Sequence, residues 1–188
     1  PYVKWICFDF DCKDKENPNL LELYKKCTLP LNNYLRANNI SFVNEFSGRR
    51  GIHTWIIFDD YLKKTDAFKI LKKIKNAVAF NYDESLYGLD EFPATGNSKG
   101  NKLGKQVKVP LSFHSCGKQS YFFLGEYTEN SYGEEFYKEQ LFILNTIKKN
   151  KISEVIKILQ LEDVQIEVSY KKMYITESLD CDAEQVID

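Results

Sequence analysis

Histidine is scarce in this chain of 188 residues: there are two, His53 and His114, and they do not form the His-x-His pair of a HUH-type nicking site. Zinc-finger spacing is missing too. The five cysteines, Cys7, Cys12, Cys27, Cys116 and Cys181, are odd in number, irregularly placed and contain no Cys-x-x-Cys pair. Reduced thiols in a cytoplasmic protein are the expectation. Neither sign of charge dominates: 26 Lys and Arg stand against 27 Asp and Glu, for a net charge of −1, so the chain as a whole is no general polyanion binder. No apolar run approaches the roughly 18 residues that span a bilayer, no secretory signal opens the sequence, and no internal repeat is evident. What is present is a globular composition, 43% hydrophobic and 14% aromatic, sized for one domain or two closely packed sub-modules.

Periodicity divides the chain into alternating strands and helices. Tyr2 to Phe10 reads as a strand, Pro18 to Cys27 and Pro30 to Ala37 as helices, and Ile40 to Phe46 and Ile52 to Phe58 as a hairpin closed by Ser47-Gly48-Arg49-Arg50-Gly51. Thr65 to Val78 follows as a basic amphipathic helix. Leu86 to Phe92 is a short strand, Pro93 to Gly104 an exposed loop, and Val107 to Phe113 and Ser120 to Leu124 further strands. Glu134 to Lys149 is a helix with Tyr137, Leu141 and Leu144 at helical spacing, and Ile152 to Leu159 another. Val164 to Tyr170 and Met173 to Ile175 are strand-like. The last stretch, 177–188, is an acidic tail or linker without a basic residue. Hairpins mixed with βα crossovers predict an α+β (mixed α/β) fold on a mixed sheet, with a core over 1–176. A start on a strand without a methionine points to a piece excised from a longer protein.

Four features carry chemistry. In Phe8-Asp9-Phe10-Asp11, strand alternation puts Asp9 and Asp11 on one face, Cβ atoms about 6.5–7 Å apart, and turns Phe8 and Phe10 to the core. Adjacent carboxylates repel, and a divalent cation with a taste for hard oxygens, Mg²⁺ or Mn²⁺, relieves that conflict; the bland alternative is a strand end with both groups solvated. In the turn, Ser47, Arg49, Arg50 and Gly51 gather backbone amides and guanidiniums, with His53 on the emerging strand, an arrangement that holds phosphate. The alternative is an ordinary glycine-containing hairpin. Nothing inside this motif supplies an acid to orient His53 as a base, so a donor role is preferred over a triad role. From Phe92 to Gly125 there is no acid, while Lys99, Lys102, Lys105, Lys108 and Lys118 all fall there, a field suited to triphosphate or nucleic-acid backbone or else a solvated lysine-rich loop. Lys108, Ser112 and His114 alternate with Val109, Leu111 and Phe113 as on one strand face, with Pro110 marking an edge or bulge. Last, Asp90 ends a short strand before this stretch; it is either a third carboxylate or a surface turn residue.

The order of these features resembles the archaeo-eukaryotic primase-polymerase superfamily. Asp9-Phe10-Asp11 matches its acidic motif, SGRRGIHTW from Ser47 to Trp55 resembles its SG…GxHxW signature, and Leu89-Asp90 resembles its hydrophobic-acid motif, with Glu91 as the other choice for the acid. Lys105 to Lys118 resembles the basic strand that holds the incoming triphosphate, and the run from Phe92-Pro93 to Leu111 is similar to the branch found in conflict and CRISPR-associated systems. The match covers roughly Tyr2 to Leu124; the αβ module that usually precedes the acidic strand in this superfamily is not part of the sequence. The resemblance implies an RRM-like catalytic sheet with flanking helices. It also implies template-dependent nucleotidyl transfer from nucleoside triphosphates, ribo- or deoxy-, onto a primer on single-stranded DNA. Two divalent ions at Asp9, Asp11 and Asp90 would serve the chemistry. Ser47, Arg49, Arg50, Gly51, His53, Lys105, Lys108, Ser112, His114 and Lys118 would hold triphosphate or template. The partners to be expected are other domains, or CRISPR-associated proteins, of a parent system. Two other readings stand beside this one: a metal-dependent nuclease, and a non-catalytic RRM-like nucleic-acid-binding module, although no RNP-like aromatic cluster is apparent.

Overall fold

The computed structural model describes residues 2–94, 106–115, 118–130, 132–162 and 164. Lys99, Lys102, Lys105, Cys116, the expected strands beyond Val164 and the acidic tail lie outside the described residues.

Alternation of apolar residues builds the first strand, β1 (Tyr2–Cys12). Ile6, Phe8, Phe10 and Cys12 are buried on one face, and Cys7, Asp9 and Asp11 take the other. A helical run follows: α1 (Leu20–Leu23), capped by the Asn19 side chain on the Glu22 amide, a π-helical turn (Tyr24–Thr28), and α2 (Leu29–Ala37) with Pro30 in its first turn. Strands β2 (Val43–Phe46) and β3 (Gly51–Lys63) form the expected hairpin. Helix α3 (Lys64–Ala77) buries Ala67, Ile70, Leu71 and Ile74, the i, i+3, i+4, i+7 stripe of an amphipathic helix. Strand β4 (Tyr87–Phe92), strand β5 (Tyr121–Phe123) and helices α4 (Glu134–Thr146) and α5 (Ile152–Leu159) complete the described elements.

The sheet order is β4-β1-β3-β2-β5. Its first four strands, with the two helical crossovers, make the split βαβ arrangement of RRM-like sheets. The fold class is α+β, as expected. Every pairing between named strands is antiparallel, and the parallel contact seen among the described residues is an isolated bridge, Phe58 to Asn150.

One face of the sheet carries the main core: Ile6, Phe8, Phe10, Ile52, Ile56 and Phe58 pack against Leu23, Leu31, Leu35, Ile70, Leu71 and Ile74 from the helices. The other face carries a smaller apolar patch of Cys7, Val43, Trp55, Phe92, Phe122 and Ile143, with Trp5, Val107 and Leu111 against it. Gln140 of α4 finishes that patch at the sheet edge: its amide accepts from Phe122 N (2.7 Å) and donates to Phe122 O (2.9 Å), standing in for a neighbouring strand. No helix among the described residues is long and apolar enough to cross a membrane.

Two expectations are corrected. Val107 to Phe113 is not a strand; it is an irregular strap with a turn at Pro110-Leu111 and a single bridge from Phe113 to Gln119. Proline cannot donate to a ladder and suits the first central position of a turn, and Leu111 takes the left-handed conformation (φ 60°) that the second position of such a turn demands. In α4 the stripe Tyr137, Leu141 and Leu144 is exposed, and Phe136, Gln140 and Ile143 are the residues that bury.

Candidate functional site

Strand register aligns one row of side chains across the sheet. Asp9 lies opposite Asp90 on β4 and opposite His53 on β3; His53 lies opposite Glu45 on β2, and Glu45 opposite Phe122 on β5. Directly opposed residues share a face, with Cα atoms about 4.5–5.5 Å apart. The row Asp90, Asp9, His53, Glu45 therefore stands on the face away from the main core, beside the apolar patch. Glu91, the alternative third acid, turns to the opposite face with Phe8, where it pairs with Lys72 (2.5 Å) and Lys75.

Asp11 stands two residues further along the same face, between Gly51 on β3 and Gly88 on β4. Its neighbour must be glycine on one side: a Cβ on Gly51 would lie 2.5 Å from Asp11 Oδ1, 2.9 Å from the Phe10 carbonyl oxygen and 3.0 Å from Ser47 Oγ. Arg50 reaches back from the turn to Asp11 Oδ2 (2.9 Å) and donates to the Cys12 carbonyl. Burial raises the Asp11 pKa, the cations Arg50 and His53 pull it down, and the like charge of Asp90 pushes it up again.

His53 is almost fully buried between two carboxylates. Its Nδ1 is 2.9 Å from Glu45 Oε2 and its Nε2 3.4 Å from Asp9 Oδ1. Burial alone would depress its pKa, but the Glu45 hydrogen bond and the charges of Asp9 and Glu45 outweigh it, and the net direction is upward. Glu45 is itself 0% exposed and receives Trp55 Nε1 (2.8 Å) and the Leu111 amide (3.0 Å) besides His53. Burial works against its charge, yet these donors and Ser120 hold it below the ordinary glutamate value. Glu45 was not singled out from the sequence, where His53 was expected to lack an orienting acid. The signal was available: the Ser47–Gly51 turn sets the hairpin register and puts Glu45 across from His53. The Cys7 thiol, two residues before Asp9 on the same face, is pushed up by burial first and then by the charges of Asp9 and Glu45.

The turn and the strap meet at Gly48. Its φ of +94° needs glycine, and a Cβ there would be 3.0 Å from His114 Cβ and from the Lys118 carbonyl, and 3.1 Å from Lys108 Nζ. Lys108 donates to the carbonyls of Ser47 (2.6 Å) and Ser112 (3.2 Å), and the Ser47 hydroxyl accepts from the Gly51 amide (3.1 Å). The stretch that carries Lys108, His114 and Lys118 thus meets the Ser47–Gly51 turn, through a loop and not a strand. Arg49 and Lys118 line a cleft of about 530 Å³ with Asn17 and Glu129. His114 sits in this positive field, and its pKa is lowered, by burial first and then by Lys108 and Arg49.

The donor set suits a hard divalent cation: three aspartates on one face, two of them opposed across strands, with a carboxyl at Asp11 that like charge and burial make reluctant to ionise alone. Among the described residues no group of three or more His, Cys, Asp or Glu side chains is placed to hold a metal ion; Asp11 is paired with Arg50, and Asp9 faces His53. The residue types fit such an ion, and Arg50 and His53 hold Asp11 and Asp9 in place.

The model of the family described as "TOTE conflict system, Archaeo-Eukaryotic Primase domain" matches residues 2–158. A search among curated proteins finds no match for the chain.

Proposed function

The chain belongs to the archaeo-eukaryotic primase domain family of TOTE conflict systems, and from that premise we propose that it is a template-dependent nucleotidyltransferase that makes or extends primers on single-stranded DNA from nucleoside triphosphates. The family is one of nucleotidyltransferase-like primases. The single observation that carries the finer reading is the cross-strand row, Asp90 beside Asp9 beside His53, with Asp11 on the same face.

Asp9, Asp11 and Asp90 are the residues to hold two divalent ions, Mg²⁺ or Mn²⁺. When bound, such ions neutralise triphosphate charge and lower the pKa of a primer 3′-hydroxyl. His53 acts as a donor. Carboxylates face both of its nitrogens and favour the protonated ring, which can give a hydrogen bond to a triphosphate oxygen but cannot take a proton. Arg50, tied to Asp11, keeps positive charge at the edge of the acid cluster. Lys108 braces the Ser47–Gly51 turn from above, leaving Arg49 and Lys118 to meet the polyanion in their shared cleft. Gly51 gives Asp11 its space, while Ser47, Ser112, His114 and Lys105 complete the proposed contacts.

The test is a primer-synthesis and primer-extension assay on single-stranded template, with and without Mn²⁺. Product that needs triphosphates, metal and template supports the proposal. Strand cleavage without triphosphates would return the chain to the nuclease reading, and metal-independent binding without product to the binding-module reading.

A further inference from the structure

We propose that Glu45 is the positioning residue for His53 and couples it to the strap that folds over the site; the proposal rests on the nucleotide-holding role of His53 given above.

A carboxylate buried to 0% exposure is costly unless donors surround it, and a hydrophobic residue at this position would suit the patch formed by Val43, Trp55 and Phe122. Packing therefore does not call for an acid here. What an acid does, and an apolar side chain cannot, is accept a hydrogen bond from the imidazole. With Nδ1 held 2.9 Å from Glu45 Oε2, the ring cannot flip without losing that bond, and Nε2 is left facing Asp9 at 3.4 Å, toward the acid cluster. The edge-on contact of His53 with Trp55, ring centroids 5.7 Å apart, sets the plane of the ring, and Trp55 is itself tied to Oε2 through its indole N–H.

The second oxygen does a separate task. Oε1 accepts the Leu111 amide at 3.0 Å, and Leu111 holds a left-handed φ of 60°, rare for a residue with a branched side chain. Ser120, just before β5, bonds to the Ser112 carbonyl (3.2 Å) and adds to the donors that favour the Glu45 charge. One carboxylate thus joins the histidine on β3 to Leu111, three residues after Lys108, and to Ser120, two residues after Lys118. The groups that face it are His53 and Trp55 from β3, Leu111 from the strap and Ser120 beside β5.

The test uses the full chain and two readouts. In ¹⁵N-resolved NMR the wild-type protein should show a protected, downfield Nδ1–H proton for His53, and Glu45→Gln, whose amide oxygen is a weaker, uncharged acceptor, should shift it upfield or lose it. Affinity for a deoxynucleoside triphosphate with Mn²⁺ should fall about 10- to 100-fold in Glu45→Gln, by analogy with the loss when the outer-shell partner of a metal-ligating histidine is removed. In a His53→Ala background the same substitution should cost clearly less than in the wild type, because the share of its effect that passes through the ring is already lost and only the share that passes through the strap remains. Should Glu45→Gln fail to fold by circular dichroism, Glu45→Asp keeps the charge with a shorter reach, and the Nδ1–H signal should survive in it, shifted. A retained, unshifted signal in either folded variant overturns the proposal. So does a loss in affinity that adds in full to that of His53→Ala. If the wild-type chain binds no nucleotide but shows the signal and its dependence on Glu45, the positioning stands and the function proposed for the site fails.

Discussion

Glycines flank Asp11 on both neighbouring strands, Gly51 on β3 and Gly88 on β4, and the structure gives them opposite tolerances. An alanine methyl at Gly51 would stand 2.5 Å from Asp11 Oδ1 and 2.9 Å from the Phe10 carbonyl; the latter is strand backbone and cannot give way, so the carboxylate must move and its 2.9 Å pair with Arg50 must break. Overpacking of this kind costs about 1–3 kcal/mol, which for a chain of this size lowers the melting temperature by about 2–12 °C. At Gly88 nothing lies within 4 Å of the added methyl and φ is outside the left-handed region, so the smaller unfolded-state entropy of alanine should leave Gly88→Ala neutral or more stable by about 0.4–1 kcal/mol. Thermal melts followed by circular dichroism separate the two. Primer extension then separates stability from function: displacing Asp11 by an ångström should lower incorporation on the order of 100-fold at a temperature where Gly51→Ala is folded, with Gly88→Ala close to wild type. A Gly51→Ala protein that melts and extends like wild type, or a Gly88→Ala protein equally damaged, would refute the placement of Asp11.

Stability should also fall in acid through Glu45. Its folded pKa lies below the ordinary value of 4.5, so its contribution is full above that value and is lost as pH falls through the lower, folded one; melts of wild type and Glu45→Gln from pH 7 to 3 should converge at the acid end. Mn²⁺ should raise the melting temperature of the wild type and not that of Asp9→Asn, if the aspartates hold the ion. Lys118→Ala should weaken binding of single-stranded DNA and reduce the salt slope by about one unit; an unchanged slope returns Lys118 to a solvated surface. His53→Gln, which keeps a donor, should retain part of the nucleotide affinity that His53→Ala loses; equal loss in both speaks against the donor role.

Much of the site was legible in the sequence because strands have a period of two. That period alone puts Asp9 with Asp11 and away from Phe8 and Phe10, as found. Choosing between Asp90 and Glu91 was beyond it, since the choice depends on the β1–β4 register, and register is a property of paired strands. The same alternation misled at Val107 to Phe113, where Lys108, Val109, Leu111 and Phe113 alternate like a strand but the Leu111 amide is taken by Glu45 and the chain turns at Pro110. Glu45 went unread because a single acid between Asn44 and Phe46 looks like a solvent-facing strand position; only the hairpin register shows that it meets His53. In α4 apolar residues occur on more than one stripe, and a polar one, Gln140, is buried because it caps the free edge of β5 at Phe122. Sequence periodicity has no means of anticipating that role.

The most direct test of the central claim compares two adjacent acids on opposite faces of one strand. Asp90 stands beside Asp9, while Glu91 is bound to Lys72 and Lys75 on the helix side. In a primer-extension assay with Mn²⁺, with folding checked by circular dichroism, Asp90→Asn should abolish nucleotide incorporation and Glu91→Gln should retain it. Incorporation that survives Asp90→Asn, or that is lost instead in a folded Glu91→Gln protein, would contradict the assignment of the reaction to the Asp90–Asp9–His53 face.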